Sequence, residues 1–281
     1  KKNGAKAIVQ IHHGGAQALP ELTPDGDVVA PSAISLKSFG QQKEHDAREM
    51  TAEEIEQTIR DFGEATRRAI EAGFDGVEIH GANHYLIHQF VSPYYNRRND
   101  VWADNYKFPV AVIDEVVKAK KAHANDDFII GYRLSPEEAE SPGISMEITE
   151  ELIHQIANKP LDYIHVSLMD VNSVTREGKY KGENRLELIH QWINGRMPLI
   201  GIGSVFTAED ALNAVENIGV EFVALGREIL LDYDFVAKIK EGREDEIINA
   251  FDPNREDQHY LTPNLWEQFN QGFYPLPRKD K

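Results

Sequence analysis

The chain has 281 residues, 41% hydrophobic and 27% charged, the mixture of a soluble globular protein, and its length suits one large domain or two ordinary ones. A formal net charge of −17 opposes a surface built for DNA or anionic lipid, though it leaves room for a local positive pocket that takes one small phosphate. The chain has no cysteine, which excludes disulfides, thiolate nucleophiles and cysteine-ligated metal centres within it; nor does any apolar run reach the roughly 18 residues that cross a bilayer, so a cytoplasmic protein is expected.

Short β-branched runs alternate with longer amphipathic stretches. Residues 7–11, AIVQI, read as a strand with Gln10 inside it, and His12-His13-Gly14-Gly15 follow. Residues 18–49 carry Pro20, Pro24, Gly26 and Pro31 and are long enough for a lid or hairpin rather than a plain connector. Thr51 with Glu54 is a capping box, after which Ile55, Ile59, Phe62, Ala69 and Ile70 recur at helical spacing up to Gly73. The strand at 76–80 ends in His80, Asn83, His84 and Tyr85 instead of ordinary turn residues. Further strands are expected at 128–134, 162–167, 198–203 and 221–226, with helices at 108–122, 149–157, 185–193 and 234–240. A second threonine cap, Thr207 with Asp210, opens another helix, and residues 252–281 form an aromatic, proline-rich tail.

Strands apolar on both faces and alternating with helices indicate an α/β fold with a parallel sheet covered by helices. A doubly wound sheet and a (β/α)₈ TIM barrel both fit. Polar or glycine residues cluster just after the strand ends, the face on which barrel enzymes build their sites, and this favours the barrel. Six strands are visible, the first beginning seven residues into the chain, so they are expected to be strands 3–8 of a single barrel domain spanning residues 1–281, with the first two missing from the given chain.

Three groups of residues carry chemistry. Two successive strands end in glycine, the first leading from Gly203 into Ser204 and the second from Gly226 into Arg227; glycine lets a phosphate approach backbone N–H groups and arginine binds it bidentately. The structural alternative is that these glycines only relieve crowding. Gln10 and Arg133 are polar residues inside strands, where an unpaired charge is costly. Either Arg133 pairs with a core carboxylate such as Glu78 while Gln10 satisfies a backbone group, or both point at a polar, electron-rich heterocycle such as a flavin. His80, Asn83 and Tyr85 admit three readings: a metal site, hydrogen bonding at a buried strand end, or a donor pair on one substrate oxygen with Tyr85 as proton donor. His84 and His88 are four apart, but no glutamate follows His84 and spacing offers no third ligand, so no metal is assigned.

The stretches IVQIHHGG, VVAPSAI, GYRLSPEE, IGIGSVFTAEDA, FVALGREIL and, most specifically, the run from MTAEEIEQ to NRRND resemble the Old Yellow Enzyme family of FMN-dependent NAD(P)H oxidoreductases, in its bacterial NADH:flavin oxidoreductase branch. They span residues 8 to about 231 in family order. The resemblance implies a (β/α)₈ barrel with FMN at the strand tips. It implies Gln10 and Arg133 at the flavin ring, Gly203, Ser204, Gly226 and Arg227 around its phosphate, His80 and Asn83 on the substrate carbonyl, and Tyr85 as the proton donor. Departures are His84 in place of a glycine, VWADNYKFPV after NRRND, and Ala16-Gln17 after HHGG.

The function expected is ping-pong hydride transfer from NADH or NADPH through FMN to an electrophile such as an α,β-unsaturated carbonyl. Partners are then small molecules, with neither nucleic acid nor membrane, and a homo-oligomer is compatible. Two alternatives stand beside it: a flavin-free, phosphate-binding lyase or isomerase, and a non-catalytic barrel that serves as a binding protein.

Overall fold

The structure is a computed structural model that describes residues 2–37, 44–259, 261–272 and 275–279. Residues 38–43 of the long loop and 260, 273–274 and 280–281 of the tail lie outside the described residues. The chain divides into two compact units, one formed by Lys1–Ser167 with Val174–Leu199 and the other by Leu168–Ser173 with Ile200–Lys281.

In the first unit, β1 (Ile8–Ile11) is followed by three short strands, β2 (Val29–Ala30), β3 (Ile34–Leu36) and β4 (His45–Glu49). The last three form a small sheet in the order β2-β4-β3, with β3 and β4 antiparallel, so the expected hairpin is present within the long loop. Ala16, Val28, Ala30, Ala47 and Tyr95 bury a small core beneath it. Helix α1 (Ala52–Glu71) begins at the Thr51 cap: Thr51 Oγ1 accepts from Glu54 N, and Glu54 Oε2 accepts from Thr51 N at 2.8 Å, which closes the box. Its apolar stripe of Ile55, Phe62 and Ala69 is buried, and α1 packs against α3 (Lys107–His123).

Between those helices lie β5 (Gly76–Gly81) and α2 (Leu86–Val91), both wholly buried. Next come β6 (Ile129–Leu134), α4 (Met146–Ile156), β7 (Tyr163–Val166) and α5 (Arg185–Ile193). Within this unit β1, β5, β6 and β7 pair in that order, all parallel, with register running Gln10–Glu78–Gly131–Tyr163 and His80–Arg133–His165. Both faces of β5 are buried, so its apolar Val77 and Ile79 alternate with the buried polar side chains of Glu78 and His80.

In the second unit β8 (Leu199–Ile202) pairs in parallel with β9 (Phe222–Ala224). Its helices are α6 (Ala208–Asn213), which opens at the Thr207–Asp210 capping box, then α7 (Arg227–Leu231), α8 (Phe235–Lys240) and α9 (Pro263–Asn270). Leu231, Phe251 and Phe269 form its core with Trp266 against them, so the aromatic tail folds onto its own unit. All six expected parallel strands are present. An α/β fold with parallel β-pairing is established.

Candidate functional site

The register of the first unit decides which polar residues meet. Gln10, Glu78 and Tyr163 stand in one row across the sheet, and His80, Arg133 and His165 in the next but one. In a strand, residues two apart share a face, so the two rows project to the same side. Glu78 is the acceptor at the centre: Gln10 Nε2 donates to Oε2, while Tyr163 Oη (3.1 Å) and His165 Nδ1 (2.9 Å) donate to Oε1. Burial would raise its pKa, but the bonds from His165, Gln10 and Tyr163 outweigh burial and hold the carboxyl below its ordinary value. Burial and Glu78 in turn push the Tyr163 phenol well above the phenol range, so it stays a donor. Room for the Tyr163 ring comes from Gly131, where any Cβ would overlap that ring.

Glu78 is therefore satisfied without the ion pair considered for Arg133, and Gln10 serves this carboxylate rather than a backbone group. Arg133 instead donates from Nη2 to Ser167 Oγ at 2.9 Å, and its buried Nε has no hydrogen-bond partner among the described residues. Burial pulls its pKa below the ordinary guanidinium value, with Glu78 opposing that pull. One register step across, His80 is 4% exposed, and its Nδ1 is also buried without a hydrogen-bond partner among the described residues. Burial first, then Arg133 and His12, brings His80 down to about 4, so at neutral pH it is an uncharged imidazole.

The turn after β5 delivers the rest. Asn83 and His84 both have positive φ, 57° and 60°, a conformation that asparagine and histidine tolerate better than most residues. Gln89, fully buried in α2, donates to His84 O at 2.5 Å and accepts from Ala16 N, which pins the turn to the loop after β1. The Asn83 amide is oriented by a chain of donors. Arg133 donates to Ser167, so the single Ser167 hydroxyl proton goes to Asn83 Oδ1 at 3.0 Å. Ser135 Oγ accepts from Asn83 N and likewise donates to Oδ1, at 3.2 Å. Both hydroxyl protons are committed to the carbonyl oxygen, and the Nδ2 donors are left for something else. The rings of His12, His80 and Tyr85 close the cluster, with centroids 5.0–5.8 Å apart.

Asn83, His84, Tyr85, Tyr94, Tyr95 and Glu140 line a pocket of about 620 Å³, the size of a small-ligand site. Of the first unit's expected site residues, Gln10, His80 and Arg133 lie within its paired strands, while Asn83 and Tyr85 follow the end of β5 and line this pocket. Sequence reasoning missed Ser167, His165 and Tyr163, while Ser135 is one of the polar residues that follow a strand end. None has a motif of its own, because each works by holding another side chain. Glu138 was missed too. It is buried, it accepts from His88 Nε2 at 2.7 Å, and its Oε2 lies 3.7 Å from His84 Nδ1.

The second unit holds the other expected group. Ser204, at φ 50°, donates to Met169 O at 2.8 Å. Arg227 donates from Nη2 to Met169 O and Ser204 Oγ, and from Nη1 to Pro275 O, with its guanidinium 5.1 Å over the Phe206 ring. The crowding explanation separates the two glycines. Gly203, at φ 132°, is pressed so closely to the Met169–Asp170 backbone that a Cβ would lie 2.5 Å from Asp170 N, so crowding accounts for it. Gly226 is exposed, and a Cβ there would meet nothing nearer than Ile202 Cδ1 at 3.9 Å. Crowding within its unit does not require that glycine, whereas close approach of a ligand to its backbone would.

These features agree with comparisons to known proteins. Over 97% of its length the chain is 48% identical to a probable NADH-dependent flavin oxidoreductase of Bacillus subtilis and spans 73% of that protein. Over 95% of its length it is 39% identical to an NADH:fumarate oxidoreductase of Klebsiella pneumoniae, of which it spans only 29%. The structure of morphinone reductase in complex with tetrahydroNAD superposes with a TM-score of 0.68 at 23% identity, covering 85% of this chain and 67% of the other, a likeness of fold. The model of one family matches residues 1–246. A buried neutral histidine, an oriented asparagine and a half-free arginine at neighbouring strand tips therefore sit in a chain that belongs to the NADH:flavin oxidoreductase / NADH oxidase family.

Proposed function

We propose that the chain is an FMN-dependent NAD(P)H oxidoreductase of ene-reductase type, a single (β/α)₈ barrel domain acting on α,β-unsaturated carbonyls or related electrophiles. One observation carries the reading: Arg133 Nε and His80 Nδ1 are buried at paired positions of adjacent strands with no hydrogen-bond partner among the described residues. Orphaned buried donors are costly, and a bound polar ring and substrate oxygen would satisfy them. The residues thus fit a flavin. Gln10 and Arg133 would hold the edge of its ring, where a fixed guanidinium favours the negative charge of reduction. In the second unit, taken by itself, Ser204, Arg227 and the backbone at Gly203 and Gly226 would suit a phosphate group such as FMN carries. When bound, FMN supplies hydride transfer in both directions.

The protein's own part is binding, orientation and proton delivery. His80, kept neutral by burial, offers an N–H rather than a charge to the substrate oxygen. Asn83 adds the Nδ2 donors that Ser135 and Ser167 leave free. Two preorganised donors on one oxygen stabilise the negative charge that develops there when the β-carbon is reduced. Tyr85, next to His80 with ring centroids 5.2 Å apart, is the group assigned to protonate the α-carbon. Family membership and the identity to a probable NADH-dependent flavin oxidoreductase support NADH as a donor.

The test is the absorbance of the purified protein before and after anaerobic NADH. A flavin spectrum that bleaches with NADH and recovers on adding an enone is expected. A colourless protein that takes up no FMN, or a yellow one that NADH does not bleach, would overturn the assignment.

A further inference from the structure

We propose that His84, His88 and Glu138 form a binding site for a divalent transition-metal ion of the zinc class, opening onto the pocket beside Asn83 and Tyr85. His84 is held over α2 by the positive-φ turn at Asn83-His84 and by the Gln89 bond to its carbonyl, and this brings its ring to 4.7 Å from that of His88. Glu138 arrives from the segment after β6. One nitrogen from each histidine and a carboxylate oxygen lie within 4.8 Å of one another. Two of the separations are 2.7 Å, from His88 Nε2 to Glu138 Oε2, and 3.7 Å, from His84 Nδ1 to the same oxygen. Ligand atoms about 2.0–2.1 Å from a tetrahedral ion stand about 3.3 Å apart, so rotamer adjustments of an ångström or so would admit the ion.

A second observation points the same way. The His84 Nδ1 atom, 3.7 Å from Glu138 Oε2, is buried without a hydrogen-bond partner among the described residues, and His88 is only 1% exposed. Glu138 is rigid: Ser92 Oγ and Ile144 N both donate to its Oε1, leaving Oε2 to the histidines. Two imidazoles and one carboxylate are the ligand types zinc accepts, and three protein ligands leave a coordination position open. His84 and Glu140 both line the pocket, and Glu140, whose buried Oε2 has no hydrogen-bond partner among the described residues, would accept a hydrogen bond from a metal-bound water there. The inference does not rest on the proposed redox reaction, and it stands or falls separately.

The test is titration of metal-stripped, purified full chain with Co²⁺ in place of Zn²⁺, followed by visible absorption. One equivalent should give the intense bands of a four-coordinate ion, and Zn²⁺ should displace it. His84→Ala, at the pocket rim and partly exposed, should bind Co²⁺ at least about tenfold more weakly. Glu138→Gln should do the same but removes a buried anchor, so His84→Ala is the deciding variant. X-ray absorption of the zinc-loaded wild type should show imidazole scattering from two ligands. Absence of saturable binding, wild-type affinity in His84→Ala, or an all-oxygen shell would each overturn the proposal.

Discussion

Glu228 offers a test of how burial governs charge in the second unit. It sits on α7, 1% exposed, and neither carboxylate oxygen has a hydrogen-bond partner among the described residues. Burial foremost, with Asp232 and more weakly Asp210 adding to it against the pull of Lys238, pushes its pKa up to about 8 from an ordinary 4.5. The folded protein then keeps a proton that the unfolded chain has released at neutral pH. Stability from this group is fully present below pH 4.5, falls as pH rises, and is lost once pH has passed through about 8. At about 1.4 kcal/mol for each pH unit between those values, the loss is on the order of 3–5 kcal/mol. Glu228→Gln keeps the volume and removes the ionisation. Urea unfolding of both proteins at a series of pH values should show the wild type losing stability relative to the variant by that amount across the window. A constant offset between the two would refute the reasoning, since a fixed difference reports packing and not a proton.

Two further outcomes follow from the site. Gly131→Ala should displace the Tyr163 ring and break its bond to Glu78, lowering stability by about 1–3 kcal/mol; a double-mutant cycle with Tyr163→Ser should show coupling above about 0.5 kcal/mol, and strict additivity would remove the clash as the cause. Tyr85→Phe should slow enone reduction by roughly a hundredfold or more when monitored by reoxidation of the reduced enzyme, the scale of a lost general acid; reoxidation at the wild-type rate would assign the proton to another donor.

The alternation of β-branched runs with capped helices was legible in the sequence because both signals are local. The Thr51–Glu54 and Thr207–Asp210 boxes form as the residues specify, and all six parallel strands fall within a residue or two of their apolar runs. Helix α2 was not legible, since a six-residue helix buried on every side carries no amphipathic period. Nor was α9, whose aromatic face has meaning only against Phe251 and Leu231.

The chain's own order of residues determined which side chains stand at strand tips, because a strand's end and its following turn are neighbours in sequence. That suffices to bring out Gln10, His80, Asn83, Tyr85, Arg133, Ser204 and Arg227 together with the family resemblance. Only the tertiary structure decided what those side chains touch. Parallel register, which links residues 34 to 87 apart in these bonds, made Glu78 the acceptor for Gln10, Tyr163 and His165, and sent Arg133 to Ser167. It placed Glu138 against His84 and His88 from 50 residues away, a juxtaposition no spacing rule contains. Hydrogen bonds and burial act at ångström range in space, and sequence separation does not encode that distance.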